Sequence, residues 1–259
     1  MWKDTCKQTK TALLFVTGPS NTKMKCIITK PEQRGLKDQG WLKSNFTFSF
    51  SNYYNPIQKG FGLIHTFNDD FVQQKNGFGL HAHSNMEIIS IMLAGSMNHI
   101  DSLGYKEVVS KDWVQIMSAG SGLRHEEHNV GDDDVNFLQI WIEPKLENVT
   151  PRYQKRFFPE EKRKNKLVTV VSNEEGQAHC WINQNAKICL GSYDAGQTLA
   201  YSLQTLNKCV FIFVTNGSLE IDGKRIGERS SIGIWDTEEI EVKTLEFSRF
   251  IIIEAPINH

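Results

Sequence analysis

The sequence predicts an all-β fold of two similar antiparallel sandwiches or barrels in tandem, and three observations predict it. Short β-branched or alternating runs, among them "MEIISIML", "WVQIMS", "NFLQIWIE", "CVFIFV" and "FIIIEA", recur between Gly, Asn and Asp turns. No long amphipathic helical pattern interrupts them. Finally, "IMLAGSMNHID" (91–101) and "IFVTNGSLEID" (212–222) both read as a hydrophobic strand, a Gly-Ser turn and a second strand. Each is followed by an apolar strand ending in a turn, "DWVQIMSAG" and then "SIGIWDTEE", so three elements repeat in one order.

In chain order, residues 1–23 read as an N-terminal extension, because strand-like patterning begins only at "MKCIITK". Lys3, Lys7 and Lys10 precede the run "ALLFV", which is too short for a signal peptide core and lacks a small-x-small cleavage site. Residues 24–148 form the first domain. The stretch "TPRYQKRFFPEEKRKNK" (150–166), with two prolines and a dense run of charge, marks a connector placed at 149–164. Residues 165–259 form the second domain.

Composition narrows the function. The 259 residues carry 29 Lys+Arg against 30 Asp+Glu, a net charge of −1, so no cationic field favours a nucleic-acid backbone. The five cysteines are odd in number and contain no C-x-x-C, which argues against a disulfide framework or a zinc knuckle and for a reducing cytoplasm. No segment approaches a membrane span. Six of the eight histidines precede the connector, so a histidine-based site belongs to the first half.

The candidate site starts from "GFGLHAHSNMEIISIMLAGS" (77–96). Residues two apart on a strand share a face, so His81 and His83 present both rings to one side. In "SAGSGLRHEEHN" the same parity sets His125 and Glu127 together and turns Glu126 and His128 away. Two such pairs on neighbouring strands offer three nitrogens and one carboxylate oxygen, a set suited to Fe(II), Mn, Ni, Cu or Zn rather than Mg or Ca. The spacing leaves a second carboxylate open, since Glu87 follows His83 in an H-x-H-x-x-x-E pattern. His65 and His99 read as polar contacts on sheet faces. Trp41, Phe46, Phe48, Phe50, Trp113 and Trp141 read mainly as core, with a cavity wall as the alternative.

At these residues the chain resembles a known family. "HAHSNMEIISIMLAGSMNHIDSLG", "QIMSAGSGLRHEEHN" and "QIWIEPKLENVTPRYQKR" are similar to the pirin family of the cupin superfamily, above all to bacterial members of the quercetin 2,3-dioxygenase type. The resemblance implies a bicupin: two cupin-type (double-stranded β-helix, jelly-roll) barrels, the first binding metal and the second without ligands. It implies His81, His83, His125 and Glu127 as ligands, with Glu87 in a supporting or alternative position. It implies one divalent transition metal per chain, Fe(II) before Cu, Mn, Ni, Co or Zn. The activity it implies is opening of a flavonol ring with O2 and release of carbon monoxide, with Glu127 as the base. The alternative from another class is a metal-dependent regulatory protein with a protein partner and no turnover.

Overall fold

A computed structural model describes residues 24–204, 207 and 209–258. The extension assigned to residues 1–23, and His259, lie outside the described residues. What is described is almost entirely β and resolves into four sheets. Each half pairs a seven-stranded sheet with a four-stranded one. Among the described residues no helix is long and apolar enough to cross a membrane.

The two large sheets face each other, and their strands show why. In Cys209–Asn216 nearly every residue is buried, the pattern of a strand covered on both faces. Alternate residues go to different cores: Phe211 and Phe213 join Phe67, Leu138, Ile140 and Ile253 in a core shared by both halves, whereas Val210, Ile212 and Val214 fill the second half's own interior. Phe67 stands 5.0 Å from Phe211 and 4.8 Å from Phe213, centroid to centroid. Fully burying each such ring is worth about 1.5–3 kcal/mol, so the shared core ties the halves together. At its edge Asp69 accepts from Arg229 Nη1 at 2.9 Å and Asn136 Nδ2 at 2.9 Å, with Arg34 Nη1 at 3.4 Å.

Two boundaries differ from the sequence expectation. The strand Lys25–Thr29, expected in the first domain, pairs antiparallel with Ser231–Trp235 and so belongs to the second half's large sheet. The connector 149–164 is not a linker: Arg152–Phe157 is a strand paired along its whole length with Trp113–Ser118, and Glu160–Arg163 is one helical turn. Its charges suit a sheet edge. The Arg152 guanidinium lies 4.2 Å over Trp181 and Lys155 Nζ meets Glu107 at 2.7 Å, while Tyr153 alone of this strand is buried.

The small sheet of the first half positions the candidate site. Its order is Gly77–His83, Leu123–His128, Ser96–Asp101, Lys106–Ser110.

Candidate metal centre

Gly77–His83 and Leu123–His128 run antiparallel with His81 opposite His125. The parity read from the sequence holds: His125 is 2% and Glu127 4% exposed, Arg124 is exposed, and Glu126 and His128 are half-buried. A register shift between His125 and Glu127 sets Gly79 and Leu80 of the facing strand against Glu126 alone, a bulge on Gly77–His83 of the kind that re-aims side chains beside a site. Gly77 is required by close approach, since a Cβ there would collide with the Glu127 carbonyl oxygen and the His128 Cα. Gly120, with φ of 47°, lies where a Cβ would strike the Val149 carbonyl.

The three histidines come together. One nitrogen from each of His81, His83 and His125 lies within 4.8 Å of the others, and the ring centroids are 4.3 to 5.0 Å apart. His81 Nδ1 sits 2.7 Å from the Gly79 carbonyl oxygen. A carbonyl only accepts, so Nδ1 carries the hydrogen and Nε2 is left as the donor atom for an ion. Glu127 falls in a second group, with His125 and His99, whose ligand atoms also lie within 4.8 Å of one another.

His99 is the residue that sequence reasoning placed elsewhere. Its ring is 1% exposed and stacks on Tyr153 at 4.3 Å; its Nε2 is 2.9 Å from Asp101 Oδ2, and its Nδ1 is 3.9 Å from Glu127 Oε1. The available signal was the i, i+2 pair His99 and Asp101, which parity turns inward with the ligands.

Electrostatics separate acid from base here. Burial, reinforced at His83 by His81, lowers the pKa of His83 and of His125 to about 4, so both rings are neutral near pH 7 and able to ligate. Burial alone would raise Glu127, but the His99 and His125 imidazoles and the Gln115 amide outweigh it and hold the carboxyl below its ordinary value. Burial likewise opposes charge on His99, and the Glu127 and Asp101 carboxylates overcome it and raise its pKa.

The donor set fits a first-row cation. Both ring nitrogens of His125 and Nδ1 of His99 are buried with no hydrogen-bond partner in the protein, a costly state that an ion on His125 would relieve at one of that ring's nitrogens. The cluster is open on one side only. His81 and His83 are half-buried. The His125, Glu127 and His99 side is closed.

Glu87 belongs to neither group. Asn85, at φ of 47°, turns the chain between His83 and Glu87, so strand parity does not carry across, and Glu87 begins a strand of the large sheet. Its Oε2 accepts from Ser118 Oγ at 2.8 Å and from the Asn183 amide at 3.2 Å, which links it to the second half. His65 pairs at the surface with Glu143 at 2.8 Å. Trp141 stands edge-on to His83 at 5.1 Å and to Phe50 at 5.2 Å, so it walls the cluster as well as packing.

Known proteins share this sequence pattern and fold. Residues 29–142 match the Pirin family and residues 169–255 the family described as the quercetinase C-terminal cupin domain. A pirin-like protein of Caulobacter vibrioides is 35% identical over 88% of this chain and 99% of its own length. Quercetin 2,3-dioxygenase of Escherichia coli is 33% identical over 88% of this chain and 98% of its own. The crystal structure of Escherichia coli YhhW superposes with a TM-score of 0.85 at 32% identity, covering 91% of this chain and all of that one. A second crystal structure of YhhW, described as a bacterial pirin, is a complex with nickel(II). With both halves matched and whole-length relatives at this identity, the chain belongs to the pirin family, and its all-β fold is that family's pair of cupins.

Proposed function

We propose that the protein is a metal-dependent dioxygenase of the quercetin 2,3-dioxygenase type, opening the ring of a flavonol-like substrate with O2 and releasing carbon monoxide. The observation that carries this reading is the convergence of half-buried His81 and His83 with buried His125, beside an ionised and buried carboxylate, Glu127. One divalent transition metal per chain is assigned to these four residues, Fe(II) first, with Cu, Mn, Ni, Co and Zn as ions the same donors accept. Bound there, an ion would supply Lewis-acid and redox chemistry toward a substrate oxygen or O2 at the positions these four residues leave free. Neutral His83 and His125 ligate without first shedding a proton. Trp141, beside His83, offers an aromatic wall against which a flat ring packs. Glu127, kept ionised, accepts the proton of the substrate hydroxyl at a carboxylate oxygen.

The test is to strip the protein, reload it with each ion, and follow O2 uptake and carbon monoxide release over a panel of flavonols. Turnover that disappears in His125→Ala supports the reading. Tight metal binding without O2 uptake on any flavonol overturns it in favour of a regulatory protein that presents its loaded surface to a protein partner.

A further inference from the structure

A buried chain of hydrogen bonds crosses three strands and ends on Glu127. Tyr153, on Arg152–Phe157, donates its O–H to Gln115 Oε1 at 2.8 Å. Gln115, on Trp113–Ser118, donates from Nε2 to Glu127 Oε1 at 2.7 Å, and the same nitrogen is 3.2 Å from Ser90 Oγ. Exposure is 6% for Tyr153, 6% for Gln115 and 4% for Glu127, so water does not compete for these groups. The phenol hydrogen needs an acceptor and the carboxylate needs a donor, which fixes the orientation of the amide between them.

We propose that Gln115, held by Tyr153, is the positioning residue that makes Glu127 a one-oxygen ligand. It occupies Oε1 and leaves Oε2 for the ion, an inference that rests on the ligand set assigned above. A free carboxylate can chelate through both oxygens and so take an extra coordination position. An amide N–H on one oxygen opposes that, and keeps the position open for substrate or O2. The nearest rival for the role is His99, but its Nδ1 is 3.9 Å from Oε1, beyond hydrogen-bond reach, and its Nε2 is engaged by Asp101. Only a side chain that accepts at one end and donates at the other satisfies both neighbours. Leucine at 115 would strand the Tyr153 hydroxyl and the Glu127 oxygen in the core.

The experiment uses the full chain, stripped and titrated with Cu(II) alone, reading affinity by chelator competition and ligand geometry by electron paramagnetic resonance. Gln115→Leu is expected to weaken binding about 10–100-fold, the usual cost of removing a group that orients a ligand, and to change the spectrum. Tyr153→Phe, which deletes one oxygen, should shift the spectrum in the same direction with a smaller loss of affinity. A folded Gln115→Leu protein that binds within two-fold of wild type with an unchanged spectrum overturns the proposal. If Gln115→Leu does not fold, an unchanged Tyr153→Phe spectrum does the same. His81→Ala separates the two readings: wild-type Cu(II) binding in that variant sinks the ligand assignment itself, whatever Gln115 does.

Discussion

The small sheets of the two halves have the same strand order and opposite interiors. Gly77–His83, Leu123–His128, Ser96–Asp101 and Lys106–Ser110 correspond in order and pairing to Thr198–Ser202, Glu239–Thr244, Leu219–Ile221 and Lys224–Ile226. Where the first set turns His81, His83, His99, His125 and Glu127 inward, the second turns Leu199, Tyr201, Leu219, Ile240 and Val242 into a mainly apolar core, with the Tyr201 hydroxyl donating to the buried Glu254 carboxylate. One backbone thus accepts either filling. A polar interior leaves buried atoms without partners until a ligand arrives, as at His125, and an apolar interior stabilises by burial alone. The shared core between the large sheets lets one half carry the unfavourable interior that the other offsets.

The largest effect expected from this contrast is on metal content. His81→Ala, His83→Ala, His125→Ala and Glu127→Ala should each reduce bound metal to a small fraction of wild type by elemental analysis, whereas Glu126→Ala and His128→Ala should leave it intact. Metal lost in Glu126→Ala but kept in Glu127→Ala would break the parity argument. Glu87→Gln should retain metal, because Glu87 is bonded to Ser118 and Asn183 and lies outside both groups.

The mirror experiment attacks the aliphatic interior. Ile240 is 4% exposed within that core, and Ile240→Ala should cost about 2–5 kcal/mol by denaturant unfolding through lost burial and the cavity left behind. Metal stoichiometry should not change. A loss of metal as large as that of His125→Ala would mean that the two interiors are not independent.

How much of this was legible in the sequence follows from which forces act locally. The repeat of 91–101 in 212–222 was readable because each is a local strand–turn–strand run, and the two become Glu87–Ala94 with Ser96–Asp101 and Cys209–Asn216 with Leu219–Ile221, each couple divided between a large sheet and a small one. The inward turn of His125 and Glu127 needed only the period of a strand. The partner of Lys25–Thr29 was not readable, since it pairs with residues some two hundred positions away that no local pattern names. The strand Arg152–Phe157 was hidden by its charges, which satisfy an exposed edge and mimic a linker. His99 was discounted because a lone histidine on a strand says nothing about what stacks on it, and Tyr153 comes from that same hidden strand. The turn at Asn85 that removes Glu87 from the site is one residue's backbone conformation.

The polar interior should also make the metal-free protein acid-sensitive. The folded pKa of His125 is about 4 against an ordinary 6.5, so the unfolded chain takes up a proton first as pH falls. Its contribution is complete above pH 6.5 and is lost progressively down to pH 4, on the order of 3 kcal/mol for this one ring. Denaturant unfolding of the stripped protein between pH 7.5 and 4.5 should show this slope, and His125→Ala should reduce it, leaving the share of His83, whose pKa is likewise lowered to about 4. An equal slope in the variant would place the acid sensitivity elsewhere.

The smallest expected effect concerns His179, the histidine described in the second half. Its Nε2 is 3.0 Å from the Glu174 carbonyl oxygen, a bond that holds the loop before Cys180, and it joins no ligand group among the described residues. Removing it deletes one neutral hydrogen bond, so His179→Ala should cost about 0.5–1.5 kcal/mol and leave one metal per chain at saturation. The inward positions of this half hold Leu199, Tyr201, Ile240 and Val242, none of which offers an imidazole or carboxylate to an ion. Carboxylates on the turn after Trp235 are surface groups that hold first-row ions weakly. A second tightly held ion that disappears in His179→Ala would therefore show that the aliphatic interior is not what distinguishes the two halves.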